Sequence, residues 1–456
     1  MMFMELNERC KDLSLIKSIP STWNFQPIKH LIISHDGGAW GDEENHDKND
    51  CICIRIADFD YLKRTVKENV ELTIRNYKSN QIEKLKLQDG DIIIEKSGGG
   101  DKLPVGRTIV FHQNYDAVFA NFSERIRVKM DYNSDFVNYC LMAFYFIGGV
   151  YNFFNQTTGI QNLSTKMYLG DIYLPCPNRN IQNQIVSYLD AKCDAIDKAI
   201  THKRSVIEKL KEYRTAVITK AVTKGLNPDV KMKNSGIVWI GQIPINWQIS
   251  KIKFLIETGE NGMKIGPFGS ALKGVTLSKG PVKIYNQANL IAENFDISKH
   301  YISAETYEKL KSYTINAGDI LFSMMGTIGK CRIMPKGKPI GIMDSHLLKA
   351  RLNTNKVLPE FFVYVFDKDR NPATLEQLIY SSQGSIMNGL NSSIVKTIKL
   401  AVPDIKEQQQ IVDYLDAKCS KIDSAIQQQE QIIAKLEEYR KSVIYYAVTG
   451  KKEVSA

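Results

Sequence analysis

The sequence predicts an α+β chain of two globular bodies with one architecture, each followed by a long helix, the two helices pairing with each other. Three observations predict it. Ile185–Thr223 and Ile411–Thr449 repeat one another at a constant offset of 226 residues, and from Gln182 and Gln408 onward 25 of 42 aligned positions are identical. Both copies carry the alternating three- and four-residue spacing of a coiled-coil seam. A matching series of short motifs also precedes each copy. The chain is two half-molecules in tandem, which suits a partner that itself has two halves.

The first domain covers residues 1–180. Ile19-Pro20 with Trp23 opens it, Gly90-Asp91-Ile92 begins a strand, and Ser97–Gly100 forms a glycine-bearing loop. An aromatic-rich helix over Phe136–Phe146, a polar Gly/Gln/Asn/Ser stretch and a short strand ending at Pro177 complete it. The first long helix is expected over residues 181–225, stopped by Gly225 and the nearby Pro228, and a linker over 226–242 follows. The second domain, residues 243–405, repeats the order: Ile243-Pro244 with Trp247, Gly318-Asp319-Ile320, a loop over Met325–Lys330, a helix over Pro359–Phe366, a polar stretch and a strand ending at Pro403. The second long helix takes residues 406–456. Between these landmarks the halves differ almost completely, as two surfaces reading different ligands of one class would.

The seams indicate what the helices pack against. Leu189, Ile196, Leu210 and Val217 form one row and Cys193, Ile200, Ile207 and Ala221 the other; Leu415, Ile422, Leu436, Val443 and Cys419, Ile426, Ile433, Ala447 repeat them. Lys203 or Gln429 interrupts the first row and Arg214 or Arg440 the second. Polar seam residues cost stability but fix register, so matched interruptions point to the two helices pairing. At 1.5 Å per residue each repeat is roughly 58 Å long. An ordinary dimerisation coiled coil remains the competing reading of heptads alone.

Composition bounds the rest. A chain of 456 residues allows about three domains. No run of eighteen apolar residues occurs, so Phe136–Val150 is read as a core helix, and charges interrupt every early apolar stretch, so no signal peptide and a cytoplasmic location are expected. The eight cysteines include no CxxC pair and no Cys/His spacing for zinc, which favours buried free thiols and no metal site. The net charge is +10. The helical segments 181–226 and 407–452 carry +4 and zero, leaving +6 on the globular parts, as expected if those face phosphates.

Catalytic signatures are missing. An adenine methyltransferase needs an Asn/Asp-Pro-Pro-aromatic segment, whereas Asn227-Pro228 continues as Asp and Asn371-Pro372 as Ala. Gly329-Lys330 has Cys331 where a P-loop needs Ser or Thr, and reads as a turn between strands. Pro403-Asp404 with Lys406 lacks the spacing and second acid of a nuclease, and the seven histidines form no nucleophile–base arrangement.

With these residues in view, the segment Gly225–Trp247 resembles the central junction of the specificity subunits of Type I restriction-modification systems. Gly37–Gly41, Lys96–Gly100 with Gly106-Arg107, Gly266–Ser270 and Glu407-Gln408 match as well. One departure is Asn180-Ile181-Gln182, where a Glu-Gln is more usual. The resemblance implies two mixed α/β target-recognition domains separated by an antiparallel coiled coil, related by an internal pseudo-twofold repeat. Each domain would read one half of a bipartite duplex DNA target. It implies a non-catalytic subunit that binds no cofactor itself. Two modification subunits would bring S-adenosylmethionine, and restriction subunits ATP and Mg.

Candidate contacts follow from side-chain chemistry: Lys and Arg suit phosphate or guanine, Asn and Gln suit adenine edges. In the first domain these are Lys96, Ser97, Gly99, Lys102, Arg107, Gln156, Thr158 and Asn162. In the second they are Lys264, Ser270, Lys273, Thr327, Lys330, Gln383, Ser385 and Asn388. Tyr188, Tyr213, Tyr414 and Tyr439 are candidates for docking modification subunits. Two alternatives stay open, an adaptor whose end domains bind proteins rather than DNA and a self-sufficient methyltransferase.

Overall fold

The computed structural model describes residues 19–100, 103–157, 159–259, 262–267, 269–325, 328–367, 369–371, 374, 376–378 and 391–453. The chain forms two compact units, one from Met1–Arg204 together with Glu430–Ala456, the other from Ser205–Gln429. The linear division expected from sequence therefore needs correction, because each long helix contributes to both units. The reason is the antiparallel packing described below, which returns the end of the second helix to the first unit's core.

The first unit contains strands β1 (Asn24–Pro27), β2 (Ile32–Gly37), β3 (Asp50–Ile54), β4 (Phe59–Asp60), β5 (Thr65–Val66) and β6 (Thr73–Asn76), then helix α1 (Ser79–Leu85). After it come β7 (Asp91–Glu95), β8 (Ser97–Gly98), β9 (Thr108–Phe111), β10 (Ala117–Phe119) and β11 (Ser123–Val128). Helix α2 (Ser134–Phe146), β12 (Phe154–Thr157), β13 (Ile160–Leu163), α3 (Thr165–Asp171), β14 (Tyr173–Cys176) and the long α4 (Arg179–Lys224) complete the first half. The main sheet has the order β2-β11-β7-β9, and a second sheet the order β10-β3-β6 with β10 parallel to β3. β1 pairs with β14.

The second half runs β15 (Met232–Asn234), β16 (Gln242–Pro244), β17 (Gln248–Lys251), β18 (Met263–Ile265), α5 (Gly269–Leu272), β19 (Val282–Tyr285), α6 (Gln287–Ile291) and β20 (Tyr301–Ile302). It continues with α7 (Ala304–Leu310), β21 (Thr314–Ile315), β22 (Ile320–Ser323), β23 (Cys331–Ile333), β24 (Gly341–Met343), β25 (Leu347–Ala350), α8 (Pro359–Phe366), α9 (Ser392–Thr397), β26 (Lys399–Val402) and the long α10 (Ile405–Val448). Its sheets β18-β25-β22-β23 and β20-β19-β24-β21, and the β17–β26 pair, repeat the first unit's arrangement, including the parallel pairing of β19 with β24. The expected linker is partly structured, since β15 pairs with β16. Both long helices begin earlier than expected, and the second ends at Val448 with Gly450 just beyond.

The Gly-Asp-Ile motifs prove to be the same device in both units. Gly90 and Gly318 have φ of +85° and +87°, the left-handed turn that glycine adopts without a steric penalty. The buried Asp91 carboxylate accepts the Gln88 N–H at 2.8 Å and pairs with Arg127 at 2.7 Å; Asp319 accepts the Asn316 N–H at 2.8 Å and pairs with Arg351 at 2.9 Å. The following strand has both faces covered. Ile92 and Ile94 enter the core shared with α2 and the long helices, while Ile93 enters the core beneath the second sheet. Ile320 and Phe322 against Leu321 repeat that split, as the period of two in a strand requires.

Each long helix is anchored by the same contacts. Asn178 and Asp404 accept N–H groups of the first turn, from Ile181 at 3.0 Å and Glu407 at 2.8 Å, so the Pro403-Asp404 pair is a helix cap. Gln182 is buried; its side chain accepts the Asn133 N–H at 2.8 Å and donates to the Pro177 carbonyl at 2.8 Å. Gln408 does the same with Leu358 at 2.8 Å and Pro403 at 2.9 Å. Gly225 and Gly450 close the helices in left-handed conformation, beside Pro244 and Trp247 and beside Pro20 and Trp23. That explains the Ile-Pro/Trp motifs.

The helices meet antiparallel within each unit. In the first, Leu189 and Cys193 of α4 share a core with Val443, Ile444, Ala447 and Val448 of α10, and Arg440 pairs with Asp197 at 2.8 Å. In the second, Ile218, Ala221 and Val222 share a core with Ile411, Val412, Leu415 and Cys419, and Arg214 pairs with Asp423 at 2.7 Å. The arginine interruptions of the seam are thus one ion pair made twice. Burial pushes the Asp197 carboxyl above its usual range, opposed by the Arg440 charge.

Because the Arg440 and Asp197 side chains are only 15% and 21% exposed while those of Arg214 and Asp423 are 32% and 53% exposed, the two pairs should differ in value. Arg440→Ala should cost about 2 to 3 kcal/mol by leaving a desolvated carboxylate, and Arg214→Ala under about 1 kcal/mol, both measured by urea unfolding. A second expectation concerns His112, held between Asp135 at 3.1 Å and Asp89 at 2.7 Å. Its hydrogen bond to Asp135 at the start of α2, with Asp89 beside it, raises its pKa from 6.5 to about 9. The stability it contributes is complete below about pH 6.5 and is lost as pH rises through about 9. An NMR titration should locate this transition, and Asp135→Asn should move it downward.

Candidate nucleic-acid interface

The polar stretch late in the first domain folds as the hairpin β12–β13, and β8 adds to its edge. Gln156 pairs across from Gln161 and Asn162 from Ser97, with the Ser97 hydroxyl 2.7 Å from the Asn162 side-chain oxygen. The Leu163 N–H donates to the Lys96 carbonyl at 2.8 Å. Along β13 the pleat buries Gln161 and Leu163 and exposes Ile160 and Asn162. Gly99 turns the chain there with φ +61°, and a Cβ would fall 2.8 Å from the Val105 nitrogen, so only glycine fits. Lys96, Ser97, Gly99, Gln156 and Asn162, far apart in sequence, therefore converge on one small sheet. Its exposed amides, Gln156 and Asn162, and the half-buried Ser97 hydroxyl offer the donor and acceptor groups that base edges pair with. Lys96 also pairs with Glu124 at 2.6 Å. Lys102 and Thr158 lie outside the described residues.

Arg107 is not a free cation and is corrected as a contact candidate. Its guanidinium grips the buried Glu95 at 2.8 and 3.0 Å and lies 4.0 Å over the Tyr61 ring, so its donors are committed to the core. Lys330 is corrected for the same reason, since its side chain is 13% exposed and pairs with Asp369 at 3.2 Å. Lys264 rests 4.7 Å over the Tyr313 ring, opposite Lys349 in the sheet, and Lys273 is exposed beyond α5, the helix that contains Ser270. These four positions do not share one sheet. Thr327, Gln383, Ser385 and Asn388 lie outside the described residues.

Residues 244–438 match the family described as "Type I restriction modification DNA specificity domain". The matched segment runs from the end of β16 into α10. Similar curated proteins are the Type I restriction enzyme StySPI specificity subunit of Salmonella potsdam, 21% identical over 375 residues covering 81% of this chain and 76% of the relative. The EcoKI specificity subunit of Escherichia coli K12 is 21% identical over 443 residues, 95% of this chain and 90% of the relative. A solved structure described as showing complex assembly and conformational transition of the type I R-M system superposes with TM-score 0.70 at 12% identity, covering 96% of this chain and all of that one. The HsdS subunit from Thermoanaerobacter tengcongensis gives TM-score 0.50 at 11% identity, covering 95% and 98%. These likenesses establish the fold.

The long-helix tyrosines form a further exposed surface. Tyr213, Tyr414 and Tyr439 are exposed at 53%, 37% and 50%. Tyr188 is engaged inside the first unit, its hydroxyl 2.6 Å from the Lys452 ammonium. Sequence reasoning missed Phe122, 56% exposed, whose carbonyl accepts the Lys96 and Ser97 N–H groups and which therefore borders the polar sheet. An aromatic in the turn between an apolar strand and the next strand carries no local sign of exposure. Glu44, His46 and Asp50 bring possible ligand atoms within 4.8 Å. Asp50 already accepts from Asn76 and from the Asn45 and Asp47 N–H groups, which organises that turn. No described helix is long and apolar enough to cross a membrane.

The geometry separates two variants. Arg107→Ala should cost about 3 kcal/mol by leaving Glu95 buried and unpaired, whereas Asn162→Ala at the exposed face should change stability by less than about 1 kcal/mol. Denaturant midpoints measure both, and equal losses would contradict these assignments.

Proposed function

We propose that the chain reads a bipartite duplex DNA target, one half-site per globular domain, within a Type I restriction-modification complex, and performs no catalysis itself. The match of residues 244–438 to a DNA specificity domain is the observation that carries this reading. The exposed Gln156 and Asn162 and the half-buried Ser97 on one sheet support base-edge recognition by the first domain, with Lys273 a candidate phosphate contact in the second. The long helices act as an antiparallel coiled-coil spacer within a pseudo-twofold repeat and, through Tyr213, Tyr414 and Tyr439, as a docking surface for two modification subunits. Those subunits bring S-adenosylmethionine; restriction subunits bring ATP and Mg and carry out translocation and cleavage. A stiff spacer makes the second half-site encounter intramolecular, so two modest selectivities multiply.

Exchanging residues 1–180 for the corresponding region of another specificity subunit tests this reading. Mapping of methylated adenines in cells that carry the whole system should show one half-site changed, the other half-site and the gap retained. Altered letters in both half-sites would contradict the modular assignment. With the isolated chain, duplex affinity should fall steeply with salt, and the slope of log affinity against log salt should shrink by about one for Lys273→Ala.

A further inference from the structure

At one cross-strand position of the repeat the two units carry opposite charge. In the first, Arg125 of β11 stands directly across from Asp36 of β2 and pairs with it at 2.5 Å. The same guanidinium donates to the Lys86 carbonyl at 2.9 Å. In the second, Lys349 of β25 takes the place of Arg125, and its ammonium donates to the Thr314 carbonyl. The correspondence is close. Lys86 and Thr314 each precede the buried aspartate of the Gly-Asp-Ile motif by five residues, and Arg127 and Arg351, which pair with those aspartates, each follow the cation by two. Across from Lys349, however, where the first unit has Asp36, β18 places Lys264.

Like charges directly across from one another on a sheet cost stability, whereas the first unit gains from an ion pair at this position. Among the described residues neither ammonium has a carboxylate partner. Lys349 is buried and bonded to the Thr314 carbonyl, and half-buried Lys264 lies 4.7 Å over the Tyr313 ring. Burial pushes the Lys349 ammonium below its usual range, and the Arg351 and Lys264 charges act the same way, opposed by Asp319. The carboxylates that act on this group are Asp319, gripped by Arg351 at 2.9 Å, and Glu257, also beside Arg351. Two positive charges therefore stand unmatched where the first unit is neutral. β18 is the outer strand of its sheet, so the Lys264 side is open to a ligand.

We propose that Lys264, backed by Lys349, binds a phosphate of the DNA backbone, the anion supplying the negative charge that Asp36 supplies in the first unit. The proposal rests on the reading of the chain as a binder of duplex DNA and adds to it a built contact in the second domain. An ammonium is a compact point charge suited to a phosphate oxygen, and the buried Lys349 adds its field from behind. Such a contact fixes the second domain on the duplex without reading its letters. In the first domain the equivalent charges cancel, so no phosphate is held at this position.

Anisotropy titrations of a labelled duplex with the full chain at several salt concentrations test it. Lys264→Met should shrink the slope of log affinity against log salt by about one, equally on duplexes of different sequence, and Lys264→Arg should keep it. Lys264→Asp rebuilds the first unit's ion pair. It should raise the thermal unfolding midpoint while weakening duplex binding more than Lys264→Met does, a combination that a purely structural lysine does not give. Wild-type binding with unchanged slopes in Lys264→Met and Lys264→Asp would overturn the contact alone, and a lowered midpoint in Lys264→Asp would remove the repulsion on which it stands. A wild-type chain that binds no duplex would overturn the DNA reading and the contact with it. Inorganic phosphate that saturably shifts the Tyr313 ring signals in NMR, while the Lys264 variants bind duplex as the wild type does, would assign the pair to a free anion and overturn the contact as well.

Discussion

The structure depends on the burial of one apolar stripe along each long helix. Leu189 and Cys193, and their repeats Leu415 and Cys419, are inaccessible or nearly so, and no single neighbour covers them. In each unit the cover comes jointly from the other long helix and from the domain's own aromatic-rich helix and main sheet. At roughly 25 cal/mol per Å² of apolar surface, separating a domain from its helices would expose a large part of its core. The long helices are therefore interior elements of the domains as well as connectors between successive parts of the chain.

This constraint explains why the repeated residues are the ones they are. Gln182 and Gln408 span three elements, satisfying a backbone N–H before the domain's helix and a carbonyl before the long one. An apolar residue there would fill the space but strand both backbone groups in a dry core, which costs more than a hydrogen bond gains. The buried Asp91–Arg127 and Asp319–Arg351 pairs hold the start of the central strand in the same way. Sequence identity persists where a contact joins domain to helix, and disappears on the outward surfaces, where each unit is free to present different chemistry.

Function rides on that division. The scaffold holds a small polar sheet in the first unit at a fixed place, and its outward side chains can change without touching the core. The same scaffold in the second unit carries α6 where the first has the β4–β5 hairpin, so duplication has preserved the frame and altered what it holds. Two copies of one frame with different surfaces are what the proposed reading of two unlike half-sites requires.

The duplication, the two helices, their seams and the order of motifs were legible in the sequence, because each is a local periodicity or a repeat at constant offset. Gly90 and Gly318 could be singled out as turn-formers from their neighbours alone. The fate of the cations could not: Arg107 and Lys96 both meet a buried glutamate, but only Arg107 is gripped by two nitrogens and laid over an aromatic face, while Lys96 stays partly exposed. Nor could the sequence say that its own polar stretch would become a hairpin gathering Ser97 and Asn162, or that Arg440 would meet Asp197. Periodicity tells which face of an element is apolar, whereas the partner of a charge is set by chain segments brought together only when the core closes.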